Sequence, residues 1–198
     1  MEPGDLFGST GREYKSLAEL EEHIKAVRCA LCSQARVVFG DGNPRARLVF
    51  VGEAPGEQED KQGIPFVGRA GMLLNKMLQA IRLTREEVYI CNVRKCRPPN
   101  NRTPTQAEIV ACRPFLVAQL RLIRPRIICA LGSPAARALL GVKESITKLR
   151  GKWYKYEDIE ADVLPTFHPA YLLRDPSKKR EAWEDFKLLA EKYASIPE

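Results

Sequence analysis

At 198 residues the chain can bury one sizeable α/β core but not two full domains. An apolar share of 44% and a charged share of 29% exclude a disordered or fibrous architecture, and no run nears the ~18 apolar residues of a membrane span. The net charge of +7 favours a polyanionic partner, and most of it falls between Thr84 and Arg126, where nine basic residues face three acids.

Residues 1–15 are expected to form a loosely ordered extension of one domain spanning 1–198. The run Met1 to Asp5 has neither the basic nor the apolar part of a secretory signal, so a cytoplasmic protein is expected. Ser16 and Glu19 form a capping box ahead of Leu17, Leu20, Ile24 and Val27, which predicts a helix up to Cys29. Arg47 to Val51 reads as a buried strand that breaks at Gly52-Glu-Ala-Pro-Gly56. A polar, glycine-rich stretch leads to a helix over 71–81, with Leu74, Met77, Leu78 and Ile81 on one face. Val88 to Asn92 is the next strand. Thr105 and Glu108 open a helix to about Ile123, and Arg126 to Leu131 is a strand ending at Gly132. Ser133 and Pro134 read as cap and first-turn proline of another helix. A stretch around Trp153, an apolar pair at Val163-Leu164 and an amphipathic helix over 178–193 complete the series.

Strands alternating with helices predict an α/β fold with a mostly parallel sheet covered on both faces. In such sheets ligands bind beyond the carboxyl ends of the strands. Glu53, Asn92, Gly132-Ser133 and His168 all fall there, so distant parts of the chain are expected to converge in one cleft.

Cys29 and Cys32 have two-residue ligand spacing, while Cys96 and Cys112 stand apart in basic, proline-rich sequence. Four such thiolates suit zinc or an iron–sulfur cluster, with ordinary core thiols as the alternative. Cys91 and Cys129 lie inside apolar strands and read as small buried hydrophobes.

In this order, five motifs resemble the family 4 uracil-DNA glycosylases, the iron–sulfur type within the uracil-DNA glycosylase superfamily. They are Gly52-Glu-Ala-Pro-Gly56, Pro65-Phe-Val-Gly-Arg-Ala-Gly71, Asn92-Val-Arg-Lys-Cys-Arg-Pro-Pro99, Asn101-Arg-Thr-Pro104 and His168-Pro-Ala-Tyr-Leu-Leu173. The resemblance implies that Cys29, Cys32, Cys96 and Cys112 ligate a 4Fe-4S iron-sulfur cluster that braces loops of the single α/β domain. It also implies a monomer that acts on uracil-containing DNA, double- or single-stranded.

Excision requires the target nucleotide to leave the stack, followed by cleavage of the bond from deoxyribose to uracil. Positive charge grows on the sugar and negative charge on the base, so the site needs a donor at the base oxygen, an acid near the sugar and a water. By resemblance His168 is that donor and Glu53 the acid. Relatives in other families carry a water-activating Asp one place later, where this chain has Ala54 beside the base. Asn92 suits the uracil edge because its amide accepts from the ring imide and donates to the neighbouring carbonyl, a pattern that cytosine reverses. Phe66 is expected to stack on the base. Glu59 is similar to a family carboxylate at the pocket rim, where it would crowd the thymine methyl; on its own it reads as exposed within the run Glu57 to Lys61. Arg97, Arg102 and Arg174 are expected at phosphates, and Leu172 and Leu173 in the gap left by the flipped nucleotide.

A covalently trapping relative is disfavoured because its additional histidine would fall near Asn100 to Thr103, and no histidine lies between His23 and His168. A non-catalytic metal-stapled DNA-binding module would use the cysteines and basic segment, and a redox carrier the cysteines; neither accounts for Glu53, Asn92 and His168 together.

Overall fold

The computed structural model describes residues 12–27 and 35–197. Four parallel strands form the centre of one sheet: β2 (Leu48–Gly52), β3 (Tyr89–Asn92), β4 (Ile127–Leu131) and β6 (Ala161–Thr166). Short antiparallel strands β1 (Asp41–Gly42) and β5 (Tyr154–Tyr156) close its edges, giving the order β1-β3-β2-β4-β6-β5. This is the expected single α/β domain. β3 and β4 flank β2 on opposite sides, so the order reverses at β2 and opens a crevice beyond its carboxyl end.

Alternation along the strands sends side chains to two faces. Val49, Val51, Cys91, Ile128 and Ala130 meet α4 (Gln106–Ile123) and α5 (Ser133–Leu140) on one face. Leu48, Phe50, Ile90, Cys129 and Leu131 meet α3 (Arg69–Ala80) and α8 (Lys179–Ser195) on the other. Burial of each such aliphatic or aromatic side chain contributes about 1.5–3 kcal/mol, so both faces are needed. Cys91 and Cys129 are fully buried, as their apolar context predicts.

The capping box at Thr105 closes fully, whereas at Ser16 the Glu19 carboxylate takes the Lys15 N–H at 2.9 Å instead of that of Ser16. Ser16 Oγ accepts from Glu19 N–H at the head of α1 (Leu17–Val27). Thr105 Oγ1 accepts from Glu108 N–H while Glu108 Oε2 takes Thr105 N–H at 2.7 Å. The expected cap at Ser133 is corrected: Gly132, at φ 89°, is the N-cap of α5, and Ser133 Oγ instead accepts from Ile146 N–H. That bond ties α5 to α6 (Ile146–Leu149). The glycine-rich stretch after β2 also contains an unexpected short helix, α2 (Glu57–Gln62). Most of the expected N-terminal extension lies outside the described residues, as do Cys29 and Cys32. No helix among the described residues is long and apolar enough to cross a membrane.

Candidate active site

The site forms where β2 and β3 end side by side, with Gly52 paired to Asn92. A methyl group on Gly52 would sit 2.4 Å from Asn92 Oδ1 and 2.5 Å from Phe66 Cζ. The bare glycine therefore leaves the space in which an amide and an aromatic ring face each other. Asn92 is only 1% exposed, yet its Oδ1 has no hydrogen-bond partner among the described residues. Leaving a buried acceptor unpaired costs about 1–3 kcal/mol, so this atom is poised for a donor from outside the chain. Behind it, the buried Lys95 Nζ donates to Asn92 O at 2.9 Å and to Gln119 Oε1, which fixes the end of β3 against α4.

Opposite, the Phe66 and His168 rings lie 5.5 Å apart, centroid to centroid, inclined by 31°. His168 is the N-cap of α7 (Pro169–Arg174), and its Nδ1 accepts the Ala170 N–H at 3.0 Å. A neutral ring so engaged carries its proton on Nε2. Burial, reinforced by the positive charge of Arg174, pulls the His168 pKa down to about 4, so the ring is neutral at physiological pH. Gly132 gives this loop room, since a methyl there would stand 3.0 Å from His168 Cβ. The preceding strand end is anchored by Thr166 Oγ1, which donates to the Asp185 carboxylate that Arg150 also holds.

Glu53 follows Gly52 directly and is half-buried beside Ala54. Burial raises its carboxyl above the ordinary range, and Arg174 draws it back. One guanidinium on α7 thus biases both Glu53 and His168, in addition to the phosphate role expected of it.

Glu59 is neither a solvated side chain nor free at the rim. As the third residue of α2 it turns inward, with Oε1 accepting from Val67 and Gly68 N–H at 2.9 and 2.8 Å and Oε2 from Gly56 N–H at 3.1 Å. With both oxygens engaged, it holds the loop that carries Phe66.

The basic segment also divides. Arg94 and Lys95 are buried, Arg94 paired with Glu108 at 2.8 Å, so neither belongs to a phosphate-tracking surface. Arg102 is outside but makes a two-pronged bond to the same Glu108, at 2.7 and 2.8 Å. Arg97 lies beside Asn101 and Asp60. Leu172 is corrected as a wedge: it is 1% exposed and packs with Phe167 and Ala182, whereas its neighbour Leu173 is 36% exposed. A helix turns 100° per residue, so the two adjacent leucines point in different directions, here one into the core and one outward. Of the four cysteines, Cys96 and Cys112 are described and both are buried, Cys96 bridging backbone with Val37 and Cys112 on α4. Gly52, Lys95 and Arg85 also shape the site, and of these only Gly52, directly after an apolar run, carries a local signal.

Residues 39–187 match the family model described as the uracil DNA glycosylase superfamily. The chain is 52% identical over 165 residues to a type-4 uracil-DNA glycosylase of Thermotoga maritima, covering 81% of this chain and 84% of that protein. It is 44% identical over 185 residues to a type-4 uracil-DNA glycosylase of Archaeoglobus fulgidus, covering 89% and 93%. A type-5 uracil-DNA glycosylase of Thermus thermophilus is 34% identical over 134 residues, or 59% and 61% of the two chains. With most of its length matched in this way, around a cleft at the carboxyl ends of its parallel strands, the chain belongs to the uracil DNA glycosylase superfamily.

Proposed function

We propose that the protein is a DNA repair enzyme that excises uracil by hydrolysing its N-glycosidic bond, leaving an abasic site. The observation that carries this reading is the buried Asn92 Oδ1, without a hydrogen-bond partner among the described residues, across Gly52 from the Phe66 ring, which itself lies 5.5 Å from that of His168. A flipped uracil offers its ring imide to that oxygen, its neighbouring carbonyl to the Asn92 amide and its face to Phe66. His168 Nε2–H then donates to the carbonyl beside the glycosidic nitrogen, where negative charge grows as the bond breaks. A neutral donor serves this purpose without the cost of burying a cation beside the base. Glu53, ionised with the help of Arg174, faces the sugar cation. Ala54 brings no carboxylate of its own, so Glu53 supplies the negative charge and orients the water. Release of free base from oligonucleotides with uracil opposite guanine, opposite adenine and in single strands, with cytosine as control, tests the function directly. Equal binding to ordinary DNA with no base released would favour a non-catalytic module.

Cys29, Cys32, Cys96 and Cys112 would hold a four-iron, four-sulfur cluster. The sulfur atoms of Cys96 and Cys112 are buried, which suits such soft, solvent-shielded ligation, and both lie on segments that lead to the site. The cluster's contribution when bound is structural, joining α1 to the segment between Asn92 and α4. The purified protein is expected to be yellow-brown with about four iron per chain. Cys96→Ser should lose the colour, while Cys91→Ser and Cys129→Ser should keep it. Stoichiometric zinc without iron after anaerobic purification would refute the assignment.

DNA contacts fall to Arg97, Arg174 and the outer part of Arg102, with Leu173 entering the gap in the stack. Leu173→Ala is expected to slow excision from duplexes far more than from single strands with little change in Tm. Leu172→Ala should instead destabilise the fold by about 2–5 kcal/mol and affect both substrates alike. The reverse pattern in unfolding and excision assays would exchange the two roles.

A further inference from the structure

Phe66 occupies a backbone conformation that a bulky side chain does not adopt unaided. Its φ is 55°, in the left-handed region, and a phenylalanine stays there only where its surroundings hold it. The surroundings are specific. Arg85, on the connection between α3 and β3, sends one guanidinium nitrogen to Phe66 O at 3.1 Å and the other to Pro65 O at 2.8 Å. One planar fork thus takes two successive carbonyls, a geometry that lysine cannot copy. The fork is itself held by Asp41 Oδ2 at 2.9 Å, and Asn75 Oδ1 lies 3.4 Å from it.

Asp41 belongs to β1, whose two residues pair with β3 and otherwise contribute little to the sheet. Gly42, at φ 115°, lets this edge lie against the carbonyls of Val88 and Arg85, where a methyl would come within 2.1 and 2.9 Å. From the other side, Gly71 admits Phe66 O so closely that a methyl would be 1.8 Å away. Glu59 completes the clamp by taking the Val67 and Gly68 N–H groups. The carbonyls of 65 and 66 are therefore held by an arginine, and the amides of 67 and 68 by a glutamate.

We infer that Arg85 is a positioning residue for uracil excision: anchored by Asp41, it fixes the left-handed Phe66 backbone so that the ring is presented over Gly52 and Asn92 for stacking. This rests on the reading of Phe66 as the stacking residue. The effect of Arg85 on catalysis runs through the Phe66 ring, while its contacts to Pro65, Asp41 and Asn75 act on stability, and a double-mutant cycle separates the two.

The cycle compares Arg85→Met, Phe66→Leu and the double variant of the cluster-loaded protein on a short single-stranded uracil oligonucleotide, well below each Tm. Arg85→Met is expected to lower kcat on the order of ten- to a hundredfold. Added to Phe66→Leu it should change kcat by no more than about twofold, while its effect on Tm persists in both backgrounds. Normal excision by Arg85→Met, or full multiplication of the two losses, overturns the inference. If Phe66→Leu itself excises normally, the stacking reading fails and the inference with it; if only Arg85→Met is normal, the inference fails alone. Should Arg85→Met not fold, Asp41→Asn removes the outer anchor and keeps the guanidinium. Its loss of kcat should be severalfold and vanish in the Phe66→Leu background, and no loss or a multiplicative one counts against the role.

Discussion

Replacing His168 with alanine is expected to slow uracil release by about 10²- to 10³-fold, the loss typical of one donor aimed at a developing oxyanion. Because that charge exists only in the transition state, the loss should fall on kcat and leave KM nearly unchanged. The protonation state provides a second measurement. Ala170 N–H occupies Nδ1 and the ring pKa is about 4, so the wild-type pH profile should show no step near 6.5, where an ordinary histidine titrates. Its acidic limb belongs to Glu53, whose carboxyl burial raises above its ordinary 4.5. Arg174→Gln removes the charge that restrains this rise, and the limb should move to higher pH. Stability follows the opposite linkage for the two groups. Between 6.5 and about 4 an unfolded chain binds a proton at His168 that the fold refuses, so the histidine's contribution to stability falls as pH falls through that window. Glu53, with its raised pKa, changes in the other direction. Comparing wild type with His168→Ala isolates the histidine: any stability advantage of the wild type should shrink from pH 6.5 to 4. An advantage that grows over that range, together with a kinetic step near 6.5, would mean that the ring works as a cation.

Much of this arrangement is written locally. The capping pair Thr105 and Glu108, the apolar runs of β2, β3 and β4, and the glycine or asparagine at their ends each carry their own signal, which is why the placement of Glu53, Asn92 and His168 at the carboxyl ends of β2, β3 and β6 is legible. What stayed illegible depends on direction. Arg94 and Lys95 sit in a basic run and read as surface, but both are buried, where Glu108 and the Asn92 and Gln119 oxygens receive them. Glu59 stands among Glu57, Asp60 and Lys61, and only the turn of α2 points it at Val67 and Gly68 rather than at water. Leu172 and Leu173 are the same residue type one step apart, so composition cannot divide core from wedge. Arg85 and Asp41 are separated by 44 positions and meet only because a two-residue strand pairs with β3. Partners of buried charges are set by tertiary contact, and local pattern contains no trace of them.

Asn92→Asp should lower uracil excision by about 10²-fold or more, because a site built around hydrogen bonds to one base discriminates through groups left unpaired when the pattern is broken. The ionised carboxylate still accepts from the uracil imide, but where the amide donated to the adjacent carbonyl it now sets acceptor against acceptor. The site is 1% exposed, so the introduced carboxyl is also desolvated and its pKa displaced upward. Its protonated form can donate once and accept once, and the uracil defect should therefore shrink toward acidic pH, down to where Glu53 takes up its own proton. On cytosine the sense reverses, since the exocyclic amine now meets an acceptor, and the ratio of uracil to cytosine release should fall further than uracil release alone. Asn92→Ala is the control that removes donor and acceptor together: it should lose uracil activity at every pH and gain nothing on cytosine. Gly52→Ala attacks the same seat from below, placing a methyl 2.4 Å from Asn92 Oδ1, and should match the alanine variant rather than the aspartate one. Uracil release by Asn92→Asp at the wild-type rate and with the wild-type preference would remove Asn92 from base reading, and the buried oxygen would then need another partner.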